Sequence, residues 1–439
     1  MDYLVRFVQV HESFRRAELE ALADLHNIKL DVVNYQSNYP YCLVRLQSEA
    51  AARLLISRSI LGQGIYELWG IGTSYEELHE DVRRRSGHKW SEFRTCSFRF
   101  SVVGFQYKMK TSEQRKIIES FSYLDFEGPI VMANADTEFF VFQEHDLSVE
   151  IPRMLYLCRF IANSDRDVIT KYDLKKRHYI STTSMDSELA LVTANMAQAA
   201  PGKMFFDPFV GTGSFPIACA HFGARSIGSD IDGRSIRGKP TCNLMSNFTQ
   251  YALTGRWLDG FVSDLTNTPL RLDRVLDGIV CDPPYGVREG LKVLGTKDGS
   301  GTEAVYIDGK LAHLQEGYIP PKRPYSFEAM LDDILDFAAR TLVDSGRLAM
   351  WMPTANDEDV EFAIPTHECL EIVSICVQPF NKWSRRLLTY RRLGGVAVPA
   401  ATKTSKRSNG TGIHADDLNS FRKKVRDCAA LYSNGILTR

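Results

Sequence analysis

The stretch that decides the fold is Lys203-Met-Phe-Phe-Asp-Pro-Phe-Val-Gly-Thr-Gly-Ser214, in which an apolar run passes through a glycine turn into a helical pattern. The helical pattern extends to His221, and residues 225–229 follow as a second predicted strand. The repetition of strand, glycine turn and helix is typical of a doubly wound α/β sheet. We therefore predict a parallel sheet in the C-terminal half, completed by a β hairpin.

Acidic residues stand where successive predicted strands end, at Asp207, Asp230 and Asp264. Asp207 would repel a diphosphate but suits a cationic ligand, such as a sulfonium that also carries an ammonium group. Asp230 could accept hydrogen bonds from ribose hydroxyls and Asp264 from an adenine amine. S-adenosylmethionine suits all three acids, whereas NAD suits only Asp230. Helix capping and turn capping are the structural alternatives for Asp207 and Asp264.

Glycines in the first turn let the backbone approach a ligand closely, and apolar residues flank the acids. The predicted cofactor site comprises Asp207, Phe209, Gly211, Gly213, Asp230, Ile231 and Asp264. The sequence predicts no metal site, because its nine cysteines are scattered without paired spacing.

Asp282-Pro-Pro-Tyr285-Gly286 follows the apolar run 279–281, at the exit of the fourth predicted strand. The prolines fix φ and lack N–H groups, so carbonyl oxygens stay free to accept hydrogen bonds from a ligand. Tyr285 adds an aromatic face, and the whole suits a planar group with an exocyclic amine. A tight turn with a satisfied aspartate is the structural alternative. The predicted catalytic residues are Asp282, Pro283, Pro284 and Tyr285, with Asp282 and the Pro283 carbonyl placed to accept the proton of the amine.

The N-terminal half alternates strand and helix patterns and predicts two small α+β units. Basic residues cluster in the second unit and in the segment that follows it. We predict contacts to RNA phosphates from Lys108, Lys110, Lys171, Lys175, Lys176 and Arg177. A solvated charged face is the alternative interpretation.

Bulk composition excludes little, since the 439 residues carry a net charge of -1 and an ordinary hydrophobic fraction of 44%. The first residues lack the apolar core of a signal peptide, and no stretch is long and apolar enough to cross a membrane. Scattered cysteines are typical of reduced thiols, so we expect a cytoplasmic location.

Several motifs together resemble one family, the eukaryotic catalytic subunits of tRNA (guanine-10-N2)-methyltransferases. Two of these motifs are the glycine turn and the Asp-Pro-Pro-Tyr element. The other three are Lys171-Tyr-Asp-Leu-Lys-Lys-Arg177, Thr183-Ser-Met-Asp-Ser-Glu-Leu189 and Gly228-Ser-Asp-Ile-Asp-Gly-Arg234. The resemblance runs over most of the chain. It implies a Rossmann-like class I methyltransferase domain with a seven-stranded, mostly parallel sheet and a β hairpin, preceded by α+β ferredoxin-like and THUMP domains.

The implied domain boundaries follow from this resemblance. We expect a ferredoxin-like domain over 1–85, a THUMP RNA-binding domain over 86–163, a basic linker over 164–184, the methyltransferase domain over 185–400, and a polar linker with a C-terminal helix over 401–439.

The implied activity is methylation of the exocyclic N2 of guanosine 10 in tRNA, with S-adenosylmethionine as the methyl donor. The family also implies a small zinc-binding activator subunit, which we expect at the sheet edge formed by Trp257–Val262. Two alternatives stay open. One is an adenine N6 or cytosine N4 methyltransferase acting on DNA or another RNA, and the other is a non-catalytic tRNA-binding subunit.

Overall fold

Residues 1–286, 291–295, 306–315, 318, 321–355, 364–380 and 383–398 are described by the computed structural model. They separate between Val168 and Ile169 into two units. The predicted polar linker and C-terminal helix over 401–439 lie outside the described residues.

A single seven-stranded sheet forms the first unit. Its strands are β1 Asp2–Phe7, β2 Asp31–Tyr35, β3 Tyr41–Arg45, β4 Gly62–Gly72, β5 Phe98–Phe105, β6 Thr137–Glu144 and β7 Met154–Asn163. They lie in the order β2-β3-β1-β4-β7-β6-β5, and every pair is antiparallel except β5 with β6. The helices are α1 Glu12–Leu25, α2 Glu49–Ile56, α3 Tyr75–Ser86, α4 Trp90–Phe93 and α5 Thr111–Glu119.

Some details of this unit differ from the sequence-based expectations. The sequence pattern predicts a helix over 13–25 that Ser13 caps, but α1 begins at Glu12, after His11 in the left-handed region, so Ser13 is not its cap. The sequence pattern also predicts a strand over 130–133, which is wrong, because only an isolated bridge joins Ile130 to Phe98. The central strand β7 was missed, since its long apolar run is buried on both faces and lacks the alternation that identifies a half-exposed strand.

The predicted boundary at residues 85 and 86 falls at the end of α3 and does not interrupt the sheet. Strand β4, before it, pairs with β7, after it, from Gly64 to Gly72. The division into ferredoxin-like and THUMP domains therefore stays a prediction. The division between the two units, at Val168 and Ile169, falls within the predicted linker over 164–184, and the bounds of that linker stay a prediction.

A second seven-stranded sheet organises the second unit and confirms the predicted fold class. Its strands are β8 Met204–Asp207, β9 Arg225–Asp230, β10 Trp257–Val262, β11 Leu276–Cys281, β16 Leu342–Ala355, β17 Leu370–Pro379 and β18 Trp383–Arg392. They lie in the order β10-β9-β8-β11-β16-β18-β17. The first five are parallel, and the hairpin of β17 and β18 pairs antiparallel with them.

Short ribbons and helices complete this unit. The ribbons are β12 Lys292–Leu294 with β15 Lys322–Pro324, and β13 Tyr306–Ile307 with β14 Lys310–Leu311. The helices are α6 Val168–Lys171, which spans the junction of the units, α7 Ser187–Met196, α8 Ser214–His221, α9 Gly233–Arg237, α10 Leu244–Gln250 and α11 Phe327–Thr341. The sequence pattern predicts one helix over about 235–253, but the structure divides it, because Gly238 takes a φ of 56° and Pro240 follows it.

Helix α11 packs its apolar face on the central strands, where Ile334 and Ala338 are fully buried beside Ile279 and Leu348. The carboxyl ends of these strands lie at one edge of the sheet because the strands are parallel. Among the helices in the described residues, none combines the length and apolarity that a membrane crossing requires.

We expect Gly278→Ala to destabilise the second unit by about 1–3 kcal/mol, because an added Cβ would overlap the ring of Phe205 on the neighbouring strand. Urea unfolding measures the change. Gly255→Ala is the matched control, since nothing lies within 4 Å of its added Cβ. Equal stability of the two variants would contradict this account of the strand contact.

Candidate active site

A cavity of about 440 Å³ opens at the carboxyl ends of the parallel strands of the second unit. Nearly all predicted cofactor and catalytic residues line it: Asp207, Phe209, Gly211, Asp230, Ile231, Asp264, Asp282, Pro283, Pro284 and Tyr285. Gly213 does not. It precedes α8 with a φ of 84°, and a Cβ there would lie 2.8 Å from Cδ2 of Leu244, so this glycine serves the turn and its packing.

Asp207 is buried, with 1% of its surface exposed, and is only partly satisfied. Its Oδ1 accepts a hydrogen bond from the Phe209 backbone N–H at 3.0 Å, but Oδ2 has no hydrogen-bond partner within the described part of the chain. Burial raises the pKa of this carboxyl well above its usual value. A cationic group in the cavity would supply the missing partner and favour the ionised form.

Asp230 shapes the glycine turn as well as the cavity. Its Oδ2 accepts from the Gly211 N–H at 3.0 Å and its Oδ1 from the Asp232 N–H at 2.8 Å. Desolvation raises the pKa of Asp230, while these two N–H groups and the nearby Lys322 oppose the shift. The carboxylate keeps lone pairs for further donors, so it can also accept from ribose hydroxyls.

Asp264 lies at the cavity but is already saturated by protein donors. Its Oδ1 accepts from the Thr266 hydroxyl at 2.8 Å and from the backbone and side chain of Asn267, and its Oδ2 accepts from the Leu294 N–H at 2.8 Å. This is the turn cap that the sequence left open as an alternative. These contacts disfavour the predicted hydrogen bond from an adenine amine to Asp264, because an added donor would have to displace one of the protein donors.

Asp282 and Tyr285 form a pair. The Tyr285 hydroxyl donates to Asp282 Oδ1, and Arg385 Nη1 lies 3.8 Å from Oδ2. The Tyr285 ring meets Trp383 edge to face, with centroids 6.2 Å apart. The sequence predicted the aromatic face of Tyr285 but missed its hydroxyl contact and Arg385, since β18 lies about a hundred residues further along the chain.

Hydroxyl side chains of the predicted linker also line the cavity, at Ser181, Thr183 and Ser184. Ser184 Oγ lies 2.7 Å from Thr212 Oγ1 in the glycine turn. Sequence reasoning missed this role, although the motif around Thr183 was the available signal. A run of hydroxyls ahead of the helix cap Asp186 offers donors for a carboxylate.

The stretch 287–324, which is rich in Gly, Lys and Asp, has the polar and irregular composition that predicts a loop over the site, and it is described only in part. Its β12–β15 ribbon contributes Leu291, Lys292 and Val293 to the cavity wall. Lys322 Nζ donates to the Ile231 carbonyl at 3.4 Å. The described residues of this stretch thus include an antiparallel ribbon at the cavity wall, and the loop over the site stays a prediction.

Of the six basic residues predicted to bind phosphate, five are exposed: Lys108, Lys110, Lys171, Lys175 and Lys176. The structure contradicts the prediction that Arg177 contacts phosphate. It is only 5% exposed, and its Nη1 donates to Ser214 Oγ at 2.8 Å. A buried guanidinium that holds the start of α8 is not available to an RNA backbone.

Comparisons with known proteins agree with this geometry. Residues 1–166 match the family described as Tmrp11 THUMP N-terminal domain, and residues 175–294 match the RMKL-like methyltransferase domain. The tRNA (guanine(10)-N(2))-methyltransferase of Saccharomyces cerevisiae is 46% identical over 92% of this chain and 96% of its own length. Its namesake in Schizosaccharomyces pombe is 38% identical over 89% of each chain, and the one in Homo sapiens is 34% identical over 96% and 94%.

We expect Asp230→Ala to weaken S-adenosylmethionine binding by about 1–3 kcal/mol, because it removes a charged acceptor and frees the Gly211 N–H. Isothermal titration calorimetry measures the change. Asp259→Ala, an exposed acid on β10 outside the cavity, is the matched control. Wild-type affinity in the Asp230 variant would remove this residue from the cofactor site.

Proposed function

Because this chain belongs to the family of tRNA (guanine(10)-N(2))-methyltransferases, we propose that it methylates the exocyclic N2 of guanosine 10 in tRNA, giving N2-methylguanosine. S-adenosylmethionine is the methyl donor. The observation that carries the proposal is the Asp282–Tyr285 pair at the wall of a cavity whose buried acid, Asp207, has an unsatisfied oxygen.

The described residues fit the donor. Bound S-adenosylmethionine supplies a methyl group on a positively charged sulfur. Asp207 offers its buried oxygen to the positive charge of the ligand, Asp230 accepts from hydroxyls, and Ile231 provides an apolar surface. The hydroxyls of Ser181, Thr183 and Ser184 can donate to a carboxylate.

Asp282 and the Pro283 carbonyl orient the amine. The N2 lone pair of guanine is delocalised into the ring, so the amine is a poor nucleophile and depends on alignment and on loss of its proton. Asp282 can accept from the amine and take that proton. The ring of Tyr285 offers a face to the flipped base, and its hydroxyl fixes the carboxylate that meets the amine.

The direct experiment is incubation with radiolabelled S-adenosylmethionine and unmodified tRNA, followed by nucleoside analysis. We expect label in N2-methylguanosine at position 10, and its loss with Asp282→Asn. Label in N6-methyladenosine or N4-methylcytidine would contradict the proposal in favour of the other amino methyltransferases. Binding of tRNA and donor without any transfer would instead indicate a non-catalytic subunit.

Lys108 and Lys110 are exposed in the first unit, and we propose that they contact tRNA phosphates. Other basic residues nearby are already ion-paired, Arg94 with Glu127 at 2.5 Å and Arg115 with Glu119 at 2.7 Å. The two lysines therefore have more charge to offer an RNA than those arginines.

Replacing Lys108 and Lys110 by Ala should weaken tRNA binding and lower the slope of log affinity against log salt by about 1–2, since each phosphate contact releases roughly one counterion. Filter binding over a range of salt concentrations measures the slope. Arg115→Ala is the control. An unchanged slope in the double variant would mean that the lysines belong to a solvated face.

We propose that a small zinc-binding activator subunit pairs with β10. This strand forms one edge of the second sheet, as predicted. Leu258 and Val262 are 44% and 50% exposed, which is unfavourable at the edge of a monomer. Trp257, in contrast, is buried and stacks on Phe248 at 4.9 Å, so it serves the core.

Leu258→Glu together with Val262→Glu should abolish co-purification of the activator, because charges would enter an apolar contact. Val373→Glu is the matched control, since Val373 is 36% exposed on β17 at the opposite edge of the sheet. Size-exclusion chromatography of co-expressed proteins measures the complex. A monomer that is fully active alone would contradict the need for this partner.

A further inference from the structure

Arg385 lies beside Asp282 and Tyr285, and several neighbouring residues fix its side chain. On β18 it lies opposite Pro353 of β16 and Gln378 of β17, and its side chain is 16% exposed. Its Nε donates to Gln378 Oε1 at 2.6 Å. Its guanidinium carbon lies 4.8 Å from the ring centroid of Trp351. A guanidinium fixed by a hydrogen bond and an aromatic face loses little further freedom when it meets a carboxylate.

The two oxygens of Asp282 have different partners. The Tyr285 hydroxyl donates to Oδ1, whereas Arg385 Nη1 lies 3.8 Å from Oδ2. That distance is within ion-pair range but too long for a hydrogen bond. Oδ2 is therefore close to a positive charge and still has lone pairs for an incoming amine.

The charges around Asp282 oppose one another. Asp207 on β8, the Cys281 thiol on β11 and the Tyr285 hydroxyl face the same region as Arg385. Desolvation raises the pKa of Asp282 above its usual value, and the Tyr285 hydrogen bond and the charge of Arg385 offset only part of that rise. Arg385 thus supplies a positive charge that favours the form able to accept a proton.

We propose that Arg385 is a positioning residue for methyl transfer, which keeps Asp282 ionised and, with Tyr285, in one orientation. This inference rests on the proposed function. The N2 nitrogen forms its bond to the methyl carbon while the bond from that carbon to sulfur breaks and its electron pair stays on sulfur. One N–H proton passes to Asp282, so the nitrogen ends neutral and the carboxylate becomes a carboxylic acid. Arg385 itself touches neither reacting atom.

The test is the pH profile of the single-turnover rate with S-adenosylmethionine and unmodified tRNA, because it separates positioning from packing. Arg385→Gln should slow transfer by about 10²-fold and move the acid limb to higher pH, since a carboxylate without its cation protonates more readily. Arg385→Lys keeps the charge and should return the limb toward its wild-type position. Donor affinity, measured by calorimetry, should be unchanged in both variants.

Arg391→Gln is the matched control, because it breaks an exposed ion pair with Glu371 of 2.7 Å in the same hairpin, away from the cavity. It should match the wild type. A wild-type rate in Arg385→Gln, or a slow rate with an unmoved acid limb, would overturn the inference and leave the proposed function standing. If the wild-type protein itself transfers no methyl group to guanosine, the proposed function fails instead.

Discussion

The convergence of carboxylates at one edge of a parallel sheet is the constraint on which the site depends. Strands β8, β9 and β11 all end there, and each delivers an aspartate at or directly after its last residue. Burying carboxylates is costly unless each one gains donors or a cation. Backbone N–H groups of the turns meet part of this demand, at Phe209 for Asp207 and at Gly211 for Asp230. The carboxylate oxygens that these N–H groups do not reach make the cavity favourable for a positively charged ligand.

The acids differ in how many hydrogen-bond donors their carboxylates already have, and this difference separates their roles. Asp264 has both oxygens occupied by protein donors and stabilises its turn and the β12–β15 ribbon. Among the described residues, Asp207 Oδ2 has no hydrogen-bond partner. Asp282 is intermediate, because the Tyr285 hydroxyl donates to Oδ1 while Arg385 Nη1 lies 3.8 Å from Oδ2, within ion-pair range but too far for a hydrogen bond. A carboxylate in that condition is oriented yet still able to accept from an amine, which is what a base for a weak nucleophile requires.

The succession of strands along the second unit and the acids at their ends could be predicted from the sequence, because strand patterns, glycine turns and acidic exits recur along the chain. What could not be predicted depends on contacts between distant residues. Arg177 belongs to a basic run typical of a solvated segment, yet it is buried against Ser214. The role of the Tyr285 hydroxyl follows from a local turn geometry that no periodicity encodes. Arg385 lies close to Asp282 only because of the order of the strands in the sheet, since β18 and β11 are far apart in the sequence.

The central claim is that the site acts on the exocyclic amine of one guanosine. Inosine lacks that amine and otherwise presents the same base, so a tRNA with inosine in place of guanosine 10 tests the claim most directly. The measurement is transfer of labelled methyl to this tRNA beside the guanosine form, with binding of both measured in parallel. We expect the two tRNAs to bind equally, with full methyl transfer to the guanosine tRNA and none to the inosine tRNA. Equal labelling of the two would contradict it, because the methyl group would then be attached elsewhere.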